Sequence, residues 1–386
     1  MDFKLFSADD HVDMAYLPSD LWTKRVPSNL RERVPRRMDT QEGERWVVNG
    51  KDIIDRTGPR PFGKRGLQVE HPSGQWRPTT PSLRLADMDR DGIESQVLFG
   101  GFIPNLPDLD PELNSICINA YNSWIAEFSS DNPNRLIGLG CVPGHDGESA
   151  VRELYHCVEL GLKGIQFNPF QAARPIWHET WDPLWSAANE TGLPINFHLG
   201  GGQWSAGRWM PGKDLPGVDP SLPTPTGGSQ AGAGNRGAAA MNRATVPSQL
   251  DEVLCSLILC GAMDRNPNLK VVLAESSIGW IPYMLEKLDR KYQEMHIDTQ
   301  RDDAPDLEMM PSGYWYRQMY ATFQEDPVGM RLLDLLGPQN VMWASDYPHP
   351  DSLWPESHPT VDLNFKGIDP KITRMILREN GVGLYS

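Results

Sequence analysis

Five ligand-type side chains in this chain stand where a short apolar segment runs out. Asp9 and His11 follow FKLFSA, His198 follows PINF, Glu275 follows KVVLA and Asp346 follows VMWAS. A parallel α/β barrel points the carboxyl ends of its strands into one shared mouth, which is where barrel enzymes place their chemistry. Residues hundreds of positions apart would then meet at one place. Four strand ends that each carry a residue able to bind a cation read together as a metal site.

The rest of the chain fits that frame. Runs rich in Val, Ile, Leu or Phe predict strands at 3–9, 95–99, 135–141, 163–168, 194–199, 269–275, 318–323 and 340–345, as expected for strands buried on both faces. Between them lie amphipathic stretches with helix punctuation: Pro111 to Ser130 before Asn132-Pro133, Gly147 to Leu160 before Gly161, and Glu179 to Thr191 before Gly192. Alternating strands and helices with eight strands predict a (β/α)8 TIM barrel over 1–386 as one domain. Two segments interrupt the alternation. Residues 18–82, rich in Pro, Arg, Trp and Gly, form an insertion after the first strand, and Gly200 to Pro247 form another after the fifth. A loop of the second one's length, at the mouth, suggests a lid over the site.

Composition excludes several function classes. A net charge of -15 argues against nucleic acid or an anionic membrane as partner, since both demand a basic face. No apolar run approaches the roughly 20 residues that span a bilayer. The start, MDFKLFSADDH, lacks the basic and apolar parts of a signal peptide, so the expected location is the cytoplasm. The five cysteines include no CxxC pair, and Cys117, Cys157, Cys255 and Cys260 fall in helical segments, which suggests buried thiols.

Alternation along a strand puts Asp9 and His11 on one face and Asp10 on the other. A lone D-x-H or a lone histidine is a weak signal, because each is more often structural. Glu275 and Asp346 close apolar strands, where an ionised carboxylate is costly unless paired or metal-bound. His349, three residues after Asp346 in SDYPHPDS, is either a partner that orients a ligand carboxylate or a further ligand or acid/base. Asp13 and Glu325 are additional strand-end candidates. His71, His145, His156, His178, His296 and His358 lie away from the strand ends and receive no role. Carboxylates at least as numerous as imidazoles suit Fe or Mn, singly or as a pair, without excluding Zn.

The strings SADDHVDMAYLPSDLW, NFHLGG, AESSIGWIPYMLEKLDRKY and WASDYPHPDSLWP together resemble the amidohydrolase-2 family of TIM-barrel metalloenzymes, which includes several decarboxylases. The family's H-x-H after the first strand is represented here by Asp9 and His11, and its histidine after the sixth strand is replaced by Glu275. In these carboxylate-rich features the chain is similar to the TIM-barrel nonheme diiron monooxygenases. That resemblance implies two irons shared by Asp9, His11, His198, Glu275, Asp346 and His349, with Asp346 and His349 at the reacting centre. It also implies an external reductase or electron carrier and a bulky small-molecule substrate, with a coenzyme A thioester as one possibility and a homodimer as the assembly. Trp204, Arg208 and Trp209 in the second insertion are the candidate substrate contacts, and Lys213, Arg236 and Arg243 could meet phosphates. The alternative reading is a mononuclear Mn or Zn decarboxylase or hydrolase, with Asp346 or His349 as acid/base. A non-catalytic barrel is the third reading, and it predicts ligands lost at random.

Overall fold

The computed structural model describes residues 3–40, 43–54, 79–100, 109–199, 244–297, 304–349 and 352–386. Its centre is a parallel TIM barrel. The first strand, β1, is Leu5–His11; an antiparallel sheet follows, made of β2 (Arg36–Thr40), β3 (Gly43–Val48) and β4 (Lys51–Ile54). The barrel continues with β5 (Ile93–Phe99), β6 (Leu136–Gly138), β7 (Gly140–Cys141), β8 (Ile165–Gln166) and β9 (Ile195–His198). It is completed by β10 (Val271–Ala274), β11 (Met319–Phe323) and β12 (Val341–Trp343).

Pairing runs β1-β5-β6 in one sheet and β12-β11-β10-β9-β8-β7 in the other. The two arcs join at both seams. Leu139 N donates to Leu98 O at 3.1 Å while Gly140 N donates to Gly164 O at 3.0 Å, so β6 and β7 are two halves of one barrel strand. Across the other seam Asp346 N donates to Asp9 O at 3.0 Å and His11 N to Tyr347 O at 2.7 Å. All eight strands expected from the sequence are present, each shifted by at most a few residues.

The helices start and stop where local chemistry requires. Thr80 caps α2 (Pro81–Asp91), which follows the short α1 (Leu21–Arg25); Asp110 caps α3 (Pro111–Ser130) and Asp146 caps α4 (Gly147–Glu159). Each cap side chain accepts a backbone N–H that the helix itself leaves unpaired. The segment 179–191 divides into one 3-10 turn, Glu179–Trp181, and α5, Asp182–Thr191, which ends at Gly192 with φ +75.

Two apolar layers hold the barrel. The larger lies between strands and helices, and the smaller fills the interior with Phe6, Ala8, Val97, Phe99, Ile137, Leu139, Val272, Ala274 and Met342. Tyr385 of the C-terminal helix joins this interior layer, and its hydroxyl bonds Asn196 Oδ1 at 2.5 Å.

The structure adds to three of these readings. The first insertion holds α1 and the β2-β3-β4 sheet, with Trp46 buried against Trp22 at 5.5 Å. The end of the second insertion is helical, with a 3-10 turn at Val246–Leu250; its earlier part, including Trp204, Arg208, Trp209, Lys213, Arg236 and Arg243, lies outside the described residues. Cys255 and Cys260 are only partly buried, whereas Cys117, Cys141 and Cys157 are fully buried. Among the described residues no helix is long and apolar enough to cross a membrane.

Candidate metal centre

The strand ends bring the expected residues together. On β1 the register with β5 slips between Ser7 and Asp10, the signature of a bulge, a device that re-aims side chains near active sites. Its effect is visible on either side of the strand. Ser7 and Asp10 both bond Ser345, while Asp9 and His11 reach the mouth. Glu275 and Asp346 leave their strands through left-handed backbone, with φ of 52 and 58. For residues with a Cβ this region costs on the order of 1–3 kcal/mol, so the fold maintains strain at the two positions that turn a carboxylate toward the mouth.

The distances define one compact cluster. His11 Nε2 lies 3.2 Å from Asp346 Oδ1 and 3.6 Å from Asp9 Oδ1. His198 Nε2 lies 3.6 Å from Asp9 Oδ1 and 3.3 Å from Glu275 Oε2. His349 stacks on His11 with centroids 3.9 Å apart; its Nδ1 is 2.7 Å from Asp346 Oδ1 and its Nε2 is 3.0 Å from Asp13 Oδ2. Two overlapping donor sets result, Asp9-His11-His198 and His11-Glu275-Asp346-His349, each with its ligand atoms within 4.8 Å of one another.

Burial separates inner from outer members. Asp9, Asp346 and His11 are 1%, 1% and 2% exposed at the side chain, whereas Glu275 and His349 are 26% and 24% exposed and face the opening. The inner atoms are poorly satisfied. Asp9 Oδ1, His11 Nε2, His198 Nε2 and both oxygens of Asp346 are buried with no hydrogen bond of acceptable geometry. Buried polar atoms are normally paired, and each unpaired one costs about 1–3 kcal/mol. These unpaired atoms, on two carboxylates and two imidazoles spread over two donor sets that share His11, have the donor chemistry of a divalent-cation site.

Protonation follows from the same crowding. Burial and the neighbouring His349 hold His11 below the ordinary imidazole value. Burial opposes charge on His198 too, but Asp9 and Glu275 outweigh it and raise its pKa to about 9. Glu275 is pushed up to about 8, by burial first and then by Asp346. Asp346 is held low against its burial by His349 and His11. A bound cation would reverse this logic, since its charge favours carboxylate and neutral imidazole. Two features hold the ligands still: Thr322 Oγ1 donates to Asp9 Oδ2 at 3.2 Å while accepting from Glu275 N at 2.8 Å, and His198 Nδ1 is 2.6 Å from Leu199 O.

Asp13 belongs to the site as the partner of His349, and Glu325 is not among the converging donors. Arg84, Asp87 and Thr322 were not singled out by the sequence. The first two sit in SLRLADMDRDG, where charges at 84, 87 and 91 share one helical face with Met88; a charged face that also carries core residues was the available signal.

A parallel barrel whose mouth gathers buried, unpaired carboxylates and imidazoles has the build of a TIM-barrel metalloenzyme. The amidohydrolase family model matches residues 69–386, and the chain belongs to that family. It is 26% identical over 283 residues to 2-amino-3-carboxymuconate-6-semialdehyde decarboxylase of Dictyostelium discoideum, covering 70% of this chain and 67% of the relative. It spans 37% and 58% of two gamma-resorcylate decarboxylases from Rhizobium, at 26% and 23% identity over 30% and 54% of its own length. Among solved structures, an amidohydrolase from Mycobacterium avium subsp. paratuberculosis superposes with a TM-score of 0.75 at 18% identity, over all of both chains. A manganese-bound 5-carboxyvanillate decarboxylase from Novosphingobium aromaticivorans superposes with a TM-score of 0.65 at 18% identity, over 100% of this chain and 97% of that one.

These comparisons correct the expectation of a dinuclear-iron monooxygenase. The relatives are decarboxylases, and neither oxygenation nor iron finds support among them. The misreading arose because the carboxylate-rich donor set, with Glu275 in it, suits one cation as well as two.

Proposed function

We propose that this protein is a divalent-metal-dependent decarboxylase that acts without oxygen on a small aromatic or unsaturated carboxylate. The observation that carries the reading is the convergence of four residues with unpaired buried atoms, Asp9, His11, His198 and Asp346, in a chain whose relatives are decarboxylases. These four would hold the cation. Manganese is the first candidate, since it occupies a decarboxylase of the same fold, and zinc is the second. When bound, such a cation supplies a Lewis acid that anchors and polarises substrate oxygens.

The chain's own residues supply the proton. In the reaction the bond from carbon to carboxylate breaks, carbon dioxide leaves, and the electron pair left on carbon takes a proton. His349 is placed to hold that proton: both ring nitrogens face carboxylates, Asp346 and Asp13, and these raise its affinity for a proton far above the ordinary value despite its burial. Glu275, partly exposed and with its pKa raised to about 8, stands beside His198 within reach of the same proton transfers.

The test is carbon dioxide release from a panel of aromatic and unsaturated carboxylates with an adjacent hydroxyl or amino group. Protein stripped with a chelator should be inactive, recover with Mn or Zn, and work equally well without oxygen. Product formation that requires dioxygen and a reductant would overturn the proposal.

A further inference from the structure

We infer that Arg84 is a positioning residue that locks the chain after β12, and with it Asp346 and His349, onto the end of β1 from outside the barrel. This inference rests on the reading of the mouth as a cation site. Arg84 is fully buried on α2. Its Nη1 donates to His11 O at 2.8 Å, its Nη2 to Tyr347 O at 3.2 Å and its Nε to Gln96 Oε1 at 2.8 Å. One guanidinium therefore holds backbone carbonyls on two of the three chain segments that carry inner donors, the end of β1 and the chain after β12. The fork geometry of Arg allows this, while a lysine ammonium would lack the second, fixed direction.

The same helix face continues the grip. Asp87 accepts from the Tyr347 hydroxyl at 2.6 Å, and its carbonyl accepts from Trp354 Nε1 at 3.2 Å. One turn on, Asp91 accepts from the Ser357 backbone and hydroxyl at 3.0 and 2.5 Å. Residues 84, 87 and 91 thus contact Tyr347, Trp354 and Ser357 in chain order. A buried charge costs several kcal/mol unless it is fully paired, and the guanidinium of Arg84 is paired on all three nitrogens. Its contacts converge on the backbone of His11 and Tyr347, the residues at and beside the proposed ligands, which favours a role in pre-setting the site. Groups that support metal ligands in this way typically change metal affinity by 10–100-fold when removed.

The test uses Arg84→Met, Arg84→Lys and Tyr347→Phe in the full chain, with Leu184→Ala on α5 as a control that destabilises the barrel far from this seam. In metal-free protein, hydrogen exchange of the peptide covering 344–349 should rise at least tenfold in Arg84→Met, less in the other two, and not selectively in Leu184→Ala. Affinity for Mn, read by chelator competition, should fall at least tenfold in Arg84→Met and about threefold in Tyr347→Phe. Exchange that rises evenly over the barrel, or an unchanged Mn affinity in a folded Arg84→Met, would overturn the positioning role; should that variant not fold, Tyr347→Phe and Arg84→Lys decide on the same readouts. A wild-type chain that binds no Mn or Zn would sink the cation reading, and the exchange result would then show separately whether Arg84 orders the segment.

Discussion

Asp9 and Asp10 are neighbours in sequence, both buried, and they live in opposite electrostatic worlds. On the outer side of β1, Asp10 Oδ1 accepts from the Ser345 hydroxyl and from Tyr347 N, and Arg84 stands nearby as its counter-charge. On the inner side, Asp9 Oδ1 faces His11 and His198 with no hydrogen bond. Each aspartate keeps one oxygen unpaired, Asp10 Oδ2 and Asp9 Oδ1, but the outer cluster ends there, whereas the inner one adds unpaired atoms on His11, His198 and Asp346. The difference teaches what each is for. A paired network fixes geometry, while a set of unpaired donors keeps affinity available for something that arrives from outside.

Substitutions on the two sides should therefore fail differently. The largest effect is expected for Asp346→Ala or His198→Ala: loss of bound metal and a fall in kcat/KM of at least about a thousandfold, with the fold intact by circular dichroism. Glu275→Gln should keep close to one metal per chain, measured by mass spectrometry, while kcat drops by roughly tenfold to a hundredfold. If it loses the metal outright, Glu275 belongs with the inner donors after all.

Metal removal itself should lower stability. A ligand present at about a thousand times its Kd stabilises the folded state by about 4 kcal/mol, so chelation should lower Tm by several degrees, and Asp346→Ala should erase that difference.

A smaller, pH-dependent effect belongs to the outer side. Burial raises the Asp91 carboxyl to about 6 from its model-peptide value of 3.8. The folded state then binds this proton more tightly than the unfolded chain, so the group's stabilising contribution is full below about pH 4 and is lost as pH rises through 6. Two pKa units correspond to about 2–3 kcal/mol. Asp91→Asn should flatten the stability profile between pH 4 and 6.5 in denaturant titrations, while a wild-type profile that is already flat would contradict the assignment.

The smallest effect concerns the thiols. Burial pushes Cys117 up to about 12, so alkylation of native protein at pH 8 should reach Cys255 and Cys260 well before Cys117, Cys141 or Cys157.

Much of this was legible in the residues because parallel strands buried on both faces are written as continuous apolar runs, and a charge that ends such a run is conspicuous. Asp9, His11, His198, Glu275 and Asp346 all announced themselves in that way. The β2-β3-β4 sheet did not, since RRMDT and GERWVV carry more charge than a buried strand tolerates and pair antiparallel at the side of the barrel. The grip of α2 was hidden for a related reason: Arg84, Asp87 and Asp91 look like a solvated helix face until the loop after β12 packs on them. The reaction was misread because a donor set of this kind is chemically compatible with one cation or two. The decarboxylase relatives are what decide against the oxygenase reading.

The most direct measurement is equilibrium binding of Mn and Zn to the chelator-stripped chain, with metal content of the reloaded protein read by inductively coupled plasma mass spectrometry. The account predicts one divalent ion per chain, bound in wild type and lost in Asp346→Ala. No binding of either metal, or two irons per chain in freshly purified protein, would contradict it.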